Sequence, residues 1–255
     1  ARGDGPGSRT HTRGPTAGQA TDGFERVDFG AWRDSRPTLR VIPRLHVVTD
    51  DQVLARPDFA TSAREVCEAL ETREVAFHIR GPHTSGRTLT RLARILREPA
   101  AACGVTLLVN DRLDVALAVE ASGVHLGSRS IPPTEARRLL GGGRLLGVSV
   151  HSESEAVEAT RSGADYLFFG PLFETPSHPG AAASGAEVVD RVLSRVDLPV
   201  VGIGGVTPQR AATVIASGAH GVAAIRGIWD TPSPRDAVQV YLEAVERAIQ
   251  EKRNE

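Results

Sequence analysis

From Leu45 onward the chain alternates between two textures. Short, nearly unbroken apolar runs recur at 45–49 (LHVVT), 75–79 (VAFHI), 105–109 (VTLLV), 123–127 (GVHLG), 145–150 (LLGVSV), 165–170 (DYLFFG), 199–204 (PVVGIG) and 221–225 (GVAAI). Between them lie stretches with helical spacing of apolar residues: 59–72, 88–101, 111–121, 133–140, 152–162, 186–195, 208–218 and 234–250. Unbroken apolar runs fit strands covered on both faces, as in a parallel sheet. Helix signals punctuate the pattern. Asp111 stands before the third helix, Ser152 and Glu155 form a capping box, and Gly163 and Gly218 follow two helix ends. Eight β/α units in about 210 residues is the arithmetic of a (β/α)8 TIM barrel. A doubly wound open sheet is the alternative, but it rarely needs eight evenly spaced units. Residues 1–40 are rich in Gly, Arg, Thr and Pro and hold neither period, so a disordered or loosely docked tail is expected before a single domain at 41–255. The Arg2-Gly3-Asp4 tripeptide in that tail matches an adhesion motif too short to outweigh chance.

Composition narrows the chemistry. Thirty basic and thirty-one acidic side chains leave a formal charge of −1, so no global field argues for nucleic acid or an anionic membrane. Only one basic residue is a lysine, Lys252, close to the end of the sequence. Schiff-base catalysis, pyridoxal phosphate attachment and a Walker-type phosphate lysine all need an amine that the barrel body lacks. Cys67 and Cys103 are too few for a disulfide framework or thiolate cage and read as small apolar side chains. No apolar run approaches the ~18 residues of a membrane span, so a soluble cytoplasmic protein is expected.

In a barrel, chemistry gathers at the C-terminal strand ends. After the seventh strand come Gly204 and Gly205, where backbone amides can approach an anion closely; the eighth ends in Ile225-Arg226-Gly227. Together these turns predict a phosphate site. Arg80, after the second strand, is either a bidentate anion clamp or a rim residue. Asn110 and Asp111 end the third, with Asp111 either an N-cap or a polar site group. His151 ends the fifth strand and suits proton transfer near neutrality, although a histidine bonded to a neighbouring loop would look the same. The long 170–185 segment, which includes His178, is a candidate lid. His46 and His125 fall inside strands and read as packing residues, and no metal-ligand spacing is present.

These motifs resemble the thiamine phosphate synthase/TenI family of phosphate-binding (β/α)8 proteins. The resemblance covers about Leu45 to Ile249 and rests on LHVVTD (45–50), VNDRLDVALAVEASGVHLG (109–127), GVSVHSESEAVEATRSGADYLFFGPLFETPSHPG (147–180), PVVGIGGVTP (199–208) and GVAAIRGIWD (221–230). It implies a role in thiamine biosynthesis by one of two chemistries. The synthase branch couples a pyrimidine diphosphate to a thiazole phosphate and handles pyrophosphate with magnesium and lysine. Against its pattern this chain has Pro82 at the strand-two lysine, no carboxylate in Gly127-Ser128-Arg129-Ser130, and His178 where a TPTK loop ends in lysine. Asn110 and Asp111 of that pattern remain. The HIR motif at 78–80 and SVHS at 149–152 are similar to the TenI branch, whose members aromatise a carboxythiazole ethyl phosphate by a proton shift without metal or cofactor.

The resemblance implies His151 as acid/base and Gly204, Gly205, Ile225 and Arg226 around the phosphate, with Arg80 and His178 meeting the carboxylate or closing the site. The expected partner is a small phosphorylated thiazole, with no nucleic acid, no membrane and no cofactor, and with homo-oligomerisation left open. A divergent synthase and a non-catalytic phosphate-ligand-binding barrel are the alternatives.

Overall fold

The computed structural model describes residues 41–68, 74–175 and 184–254. The expected tail at 1–40, the end of the helix expected at 59–72, and His178 with half of the candidate lid lie outside the described residues.

The eight strands are β1 (Leu45–Val48), β2 (Val75–Ile79), β3 (Thr106–Asn110), β4 (Gly123–Leu126), β5 (Leu145–Val150), β6 (Tyr166–Phe169), β7 (Val200–Ile203) and β8 (Gly221–Ala224). Each pairs in parallel with its neighbour in the chain, and β8 closes onto β1 through Leu45 opposite Val222. The (β/α)8 expectation holds. The helices are α1 (Asp51–Leu54), α2 (Phe59–Glu68), α3 (Gly86–Ala102), α4 (Leu113–Ala118), α5 (Pro133–Leu140), α6 (Glu153–Arg161), α7 (Val188–Leu193), α8 (Pro208–Ala216), α9 (Arg226–Trp229) and α10 (Pro234–Arg253). No helix among the described residues is long and apolar enough to cross a membrane.

The strands look uniformly apolar because both faces are buried, yet they carry a strict two-residue alternation. Leu45, Val47, Phe77, Ile79, Leu107 and Val109 face the helices within the larger core. Val48, Ala76, Leu108, Tyr166, Phe168, Val201 and Ala223 form a second, smaller core, from the strand positions of opposite parity. His46, His78 and His125 share that inward parity and are buried with it. Space there is tight. A β-carbon on Gly147 would overlap the ring of Tyr166 and Nδ1 of His125, so this strand position must be glycine.

Two short helices, α1 and α9, were not expected, because four residues are too few to show a period. Asp50 caps α1, accepting from Val53 N–H at 2.9 Å. α9 is anchored by Trp229, whose indole N–H donates to Val48 O at 2.9 Å. The N-cap alternative for Asp111 is corrected: Arg112 is the N-cap residue of α4, and Asp111 sits before it at φ 63°. Left-handed backbone is tolerated by a short polar side chain with local hydrogen bonds, which Asp111 makes elsewhere. At α6, Ser152 Oγ accepts from Glu155 N–H as expected, but the Glu155 carboxylate accepts from His151 N–H at 2.7 Å.

Candidate active site

All of the strand ends open into one cavity of about 920 Å3. Arg80, Asn110, Asp111, His151, Gly204, Gly205, Ile225 and Arg226 all line it. Those residues come from five different strand ends and are brought together only by closure of the sheet.

The glycine pair has two duties. Gly204 and Gly205 have φ of 90° and 65°, and β-carbons there would approach Pro171 Cα at 2.6 Å and Glu174 O at 2.5 Å. The chain after β6 therefore lies directly on this turn, with Leu172 and Phe173 N–H donating to Ile203 and Gly204 carbonyls at 2.9 and 3.0 Å. Across the cavity rim, the first turn of α9 leaves the Arg226 and Gly227 amides without intrahelical acceptors. The Arg226 guanidinium itself is engaged by Asp50 at 3.0 Å and Gln52 at 2.7 Å. With Asp230 at 3.4 Å as a second carboxylate, its contribution to an anion site is mainly the backbone.

His151 has a defined tautomer. Its Nδ1 meets the Gly170 carbonyl, which can only accept, so the proton resides on Nδ1. Nε2 then carries the lone pair, on an exposed ring at the cavity wall. Asp111 is occupied differently. Its Oδ1 accepts from Gly127 N–H at 2.8 Å and from the Ser130 hydroxyl. Thr49 fixes the Arg80 backbone, accepting from its N–H at 2.8 Å and donating to its carbonyl at 2.9 Å.

The cavity floor is the inward layer of the barrel. His125 Nε2 lies 2.8 Å from Ser149 Oγ, and its Nδ1 lies 3.1 Å from Tyr166 OH. His46 and His78 are joined at 2.9 Å. Burial and the other histidines push His46 and His125 well below the usual imidazole range, and burial with Arg80 nearby lowers His78 to about 4. All three rings are neutral at neutral pH. His46 and His125 do pack, as expected, but as hydrogen-bonded polar groups. Ser149, Ser130 and Arg210 escaped sequence reasoning. Arg210 donates to Gly205 O at 2.7 Å and lies 4.7 Å above the Phe173 ring, yet its position early in α8 carries no motif.

Five arginines (80, 112, 129, 210 and 226) face two carboxylates (Asp111 and Glu174) around this cavity. Arg112 is paired with Asp114, and Arg226 with Asp50 and Asp230, so the surplus positive charge that suits a phosphorylated molecule comes from Arg80, Arg129 and Arg210. It does not suit magnesium. Hard divalent ions need several carboxylate or carbonyl oxygens, whereas Asp111 Oδ1 is already taken by two protein donors and Ser130 approaches it instead of a second carboxylate. Among the described residues, no group of three His, Cys, Asp or Glu is assembled for a metal.

The family model described as thiamine monophosphate synthase matches residues 45–228. The thiamine-phosphate synthase of Chloroflexus aurantiacus is 43% identical over 187 residues, covering 72% of this chain and 84% of that protein. The thiamine biosynthesis bifunctional protein ThiM/ThiE of Symbiobacterium thermophilum is 48% identical over 161 residues, 63% of this chain. The match spans only 33% of that longer protein. Among solved structures, the thiamine phosphate pyrophosphorylase of Pyrococcus furiosus superposes with a TM-score of 0.70 at 31% identity, covering 80% of this chain and 96% of that one.

Proposed function

The chain belongs to the thiamine monophosphate synthase family, and from that premise we propose that it acts in the thiazole branch of thiamine biosynthesis, as a tautomerase of a carboxythiazole ethyl phosphate. The observation that carries this reading is His151, whose Nδ1–H is held by the Gly170 carbonyl, leaving Nε2 for chemistry at the wall of an arginine-lined cavity. Tautomerisation moves one proton between two carbons. Nε2 of His151 takes the proton from the ring carbon that bears the carboxylate. The electron pair shifts through the ring to the exocyclic double bond, and the exocyclic carbon takes the proton back from Nε2–H. Charge and atoms balance, the ring becomes aromatic, and His151 returns to its starting tautomer.

The remaining residues bind. The turns at Gly204-Gly205 and Ile225-Arg226 take the phosphate. Arg80 meets the carboxylate, and we assign His178, outside the described residues, to closing the site. The Glu155 carboxylate, bonded to the His151 amide, offsets the imidazolium formed between the two transfers.

Coupling of a pyrimidine diphosphate to thiazole phosphate is the second reading, favoured by the names of the relatives and by the retained Asn110-Asp111 pair. The residues at 82 and 127–130 speak against it, because a leaving pyrophosphate needs concentrated positive charge and hard oxygen ligands. Both reactions should be run on one preparation. Conversion of the carboxythiazole phosphate tautomer without coupled product is the expected result. Magnesium-dependent formation of thiamine phosphate overturns it, and tight phosphate-ligand binding with neither turnover leaves a non-catalytic barrel.

A further inference from the structure

The buried imidazoles of β1 and β2 form a chain whose proton positions follow from its lower end. His46 Nε2 lies 3.0 Å from Pro43 O. A carbonyl only accepts, so Nε2 carries the His46 proton and Nδ1 carries the lone pair. His78 Nε2, 2.9 Å from that Nδ1, must therefore be the N–H that donates to it. This leaves His78 Nδ1 with a lone pair, facing the Asn110 side-chain amide at 3.0 Å through Oδ1.

Two acceptors do not share that distance. Either His78 holds a second proton, or the amide is rotated by half a turn so that Nδ2–H donates to Nδ1. A second proton would place an imidazolium inside the barrel among His46, His125 and Phe168, with Arg80 two residues on at the cavity. The hydrogen bonds of the two rings go to each other, to a backbone carbonyl and to a neutral amide, none of which is a counter-charge. Burial holds His78 down to about 4 in this setting. The rotated amide gives each nitrogen of the two rings a matching partner without a buried charge.

We propose that His46 and His78 are positioning residues, whose locked tautomers turn the Asn110 amide so that its carbonyl oxygen faces the cavity as a hydrogen-bond acceptor. The β3 side of the mouth then differs in kind from the guanidinium and backbone donors around it. It accepts an N–H or O–H of the bound molecule, or of the water that molecule displaces, and discriminates against a ligand offering a lone pair there. The proposal goes beyond the reaction assigned above and holds whichever phosphorylated heterocycle fills the cavity.

Nitrogen-15 NMR of ligand-free, histidine-labelled full chain at neutral pH reads it directly, separately from any activity. His46 and His78 should both carry their proton on Nε2 alone. In Asn110→Asp, the ionised carboxylate only accepts, so His78 Nδ1 should become protonated. In His46→Phe, which keeps a ring beside Tyr166 and Phe168, the His78 signals should average over both tautomers. A proton on His78 Nδ1 in the unsubstituted protein overturns the proposal. So does a His78 spectrum that stays unchanged in Asn110→Asp.

Discussion

The imidazole of His151 keeps its proton on Nδ1, against the Gly170 carbonyl, and this decides which nitrogen is available for chemistry. His151→Gln can still donate to that carbonyl but has no base. Its kcat for the carboxythiazole phosphate should fall by about 10²–10⁴-fold, with product affinity by calorimetry little changed. Turnover close to that of the unsubstituted protein would falsify the role of His151. Gly147 tests the packing of the same inner layer. A methyl there collides with Tyr166 and His125, so Gly147→Ala should cost about 1–3 kcal/mol in urea unfolding. His151 was legible because a strand-end histidine announces itself. The Ser149–His125–Tyr166 set was not, because its members are neutral, distant in sequence and hidden among residues of equal apolarity. Asp111 shows the same limit. Only its backbone, at positive φ, separates a site residue from a helix cap.

Among the elements, strands read well. The expected 75–79 and 145–150 agree with β2 and β5 at both ends, and the others differ by a residue or so. Burial on both faces produces long apolar runs, which are unmistakable in sequence but conceal which side chains point inward. The four-residue helices lay below any detectable period, yet α9 positions the turn assigned to phosphate. One of its anchors is the bond from Trp229 Nε1–H to Val48 O, within a buried ring cluster with Phe59 and Phe77. Trp229→Phe removes the donor and leaves the carbonyl unsatisfied. It should lower stability by about 1 kcal/mol and weaken inorganic phosphate binding, measured by denaturant titration and by calorimetry. Unaltered phosphate binding in a clearly destabilised variant would detach α9 from the anion site.

For the whole molecule, the three inward histidines make stability depend on pH. Each has its folded pKa below the unfolded value of about 6.5, because burial opposes the charged form. The unfolded chain therefore binds more protons once pH drops below that value, and stability falls from there toward about 4, where His78 titrates in the fold. Each ring adds up to about 1.4 kcal/mol per pH unit in this window. The urea midpoint should be flat near pH 7–8 and drop steeply between about pH 6.5 and 4.5, with His46→Phe flattening the drop. Function was legible at this scale only as far as the family. Eight strand ends mark the barrel and its family, whereas the proposed choice of reaction rests on a few positions, 82, 127–130 and 178, where the sequence departs from the synthase pattern it resembles.

The solitary lysine has a structural post. Lys252 Nζ donates to the Ile215 and Ala216 carbonyls, both at 3.3 Å, capping the C-terminal end of α8. In a barrel that helix end lies beneath the strands, on the face away from the cavity. Lys252 is the one lysine in this sequence, so a reagent that acylates lysine side chains is directed to this face. A surface or fluorophore coupled there attaches on the face opposite the cavity, so tethered molecules share one orientation.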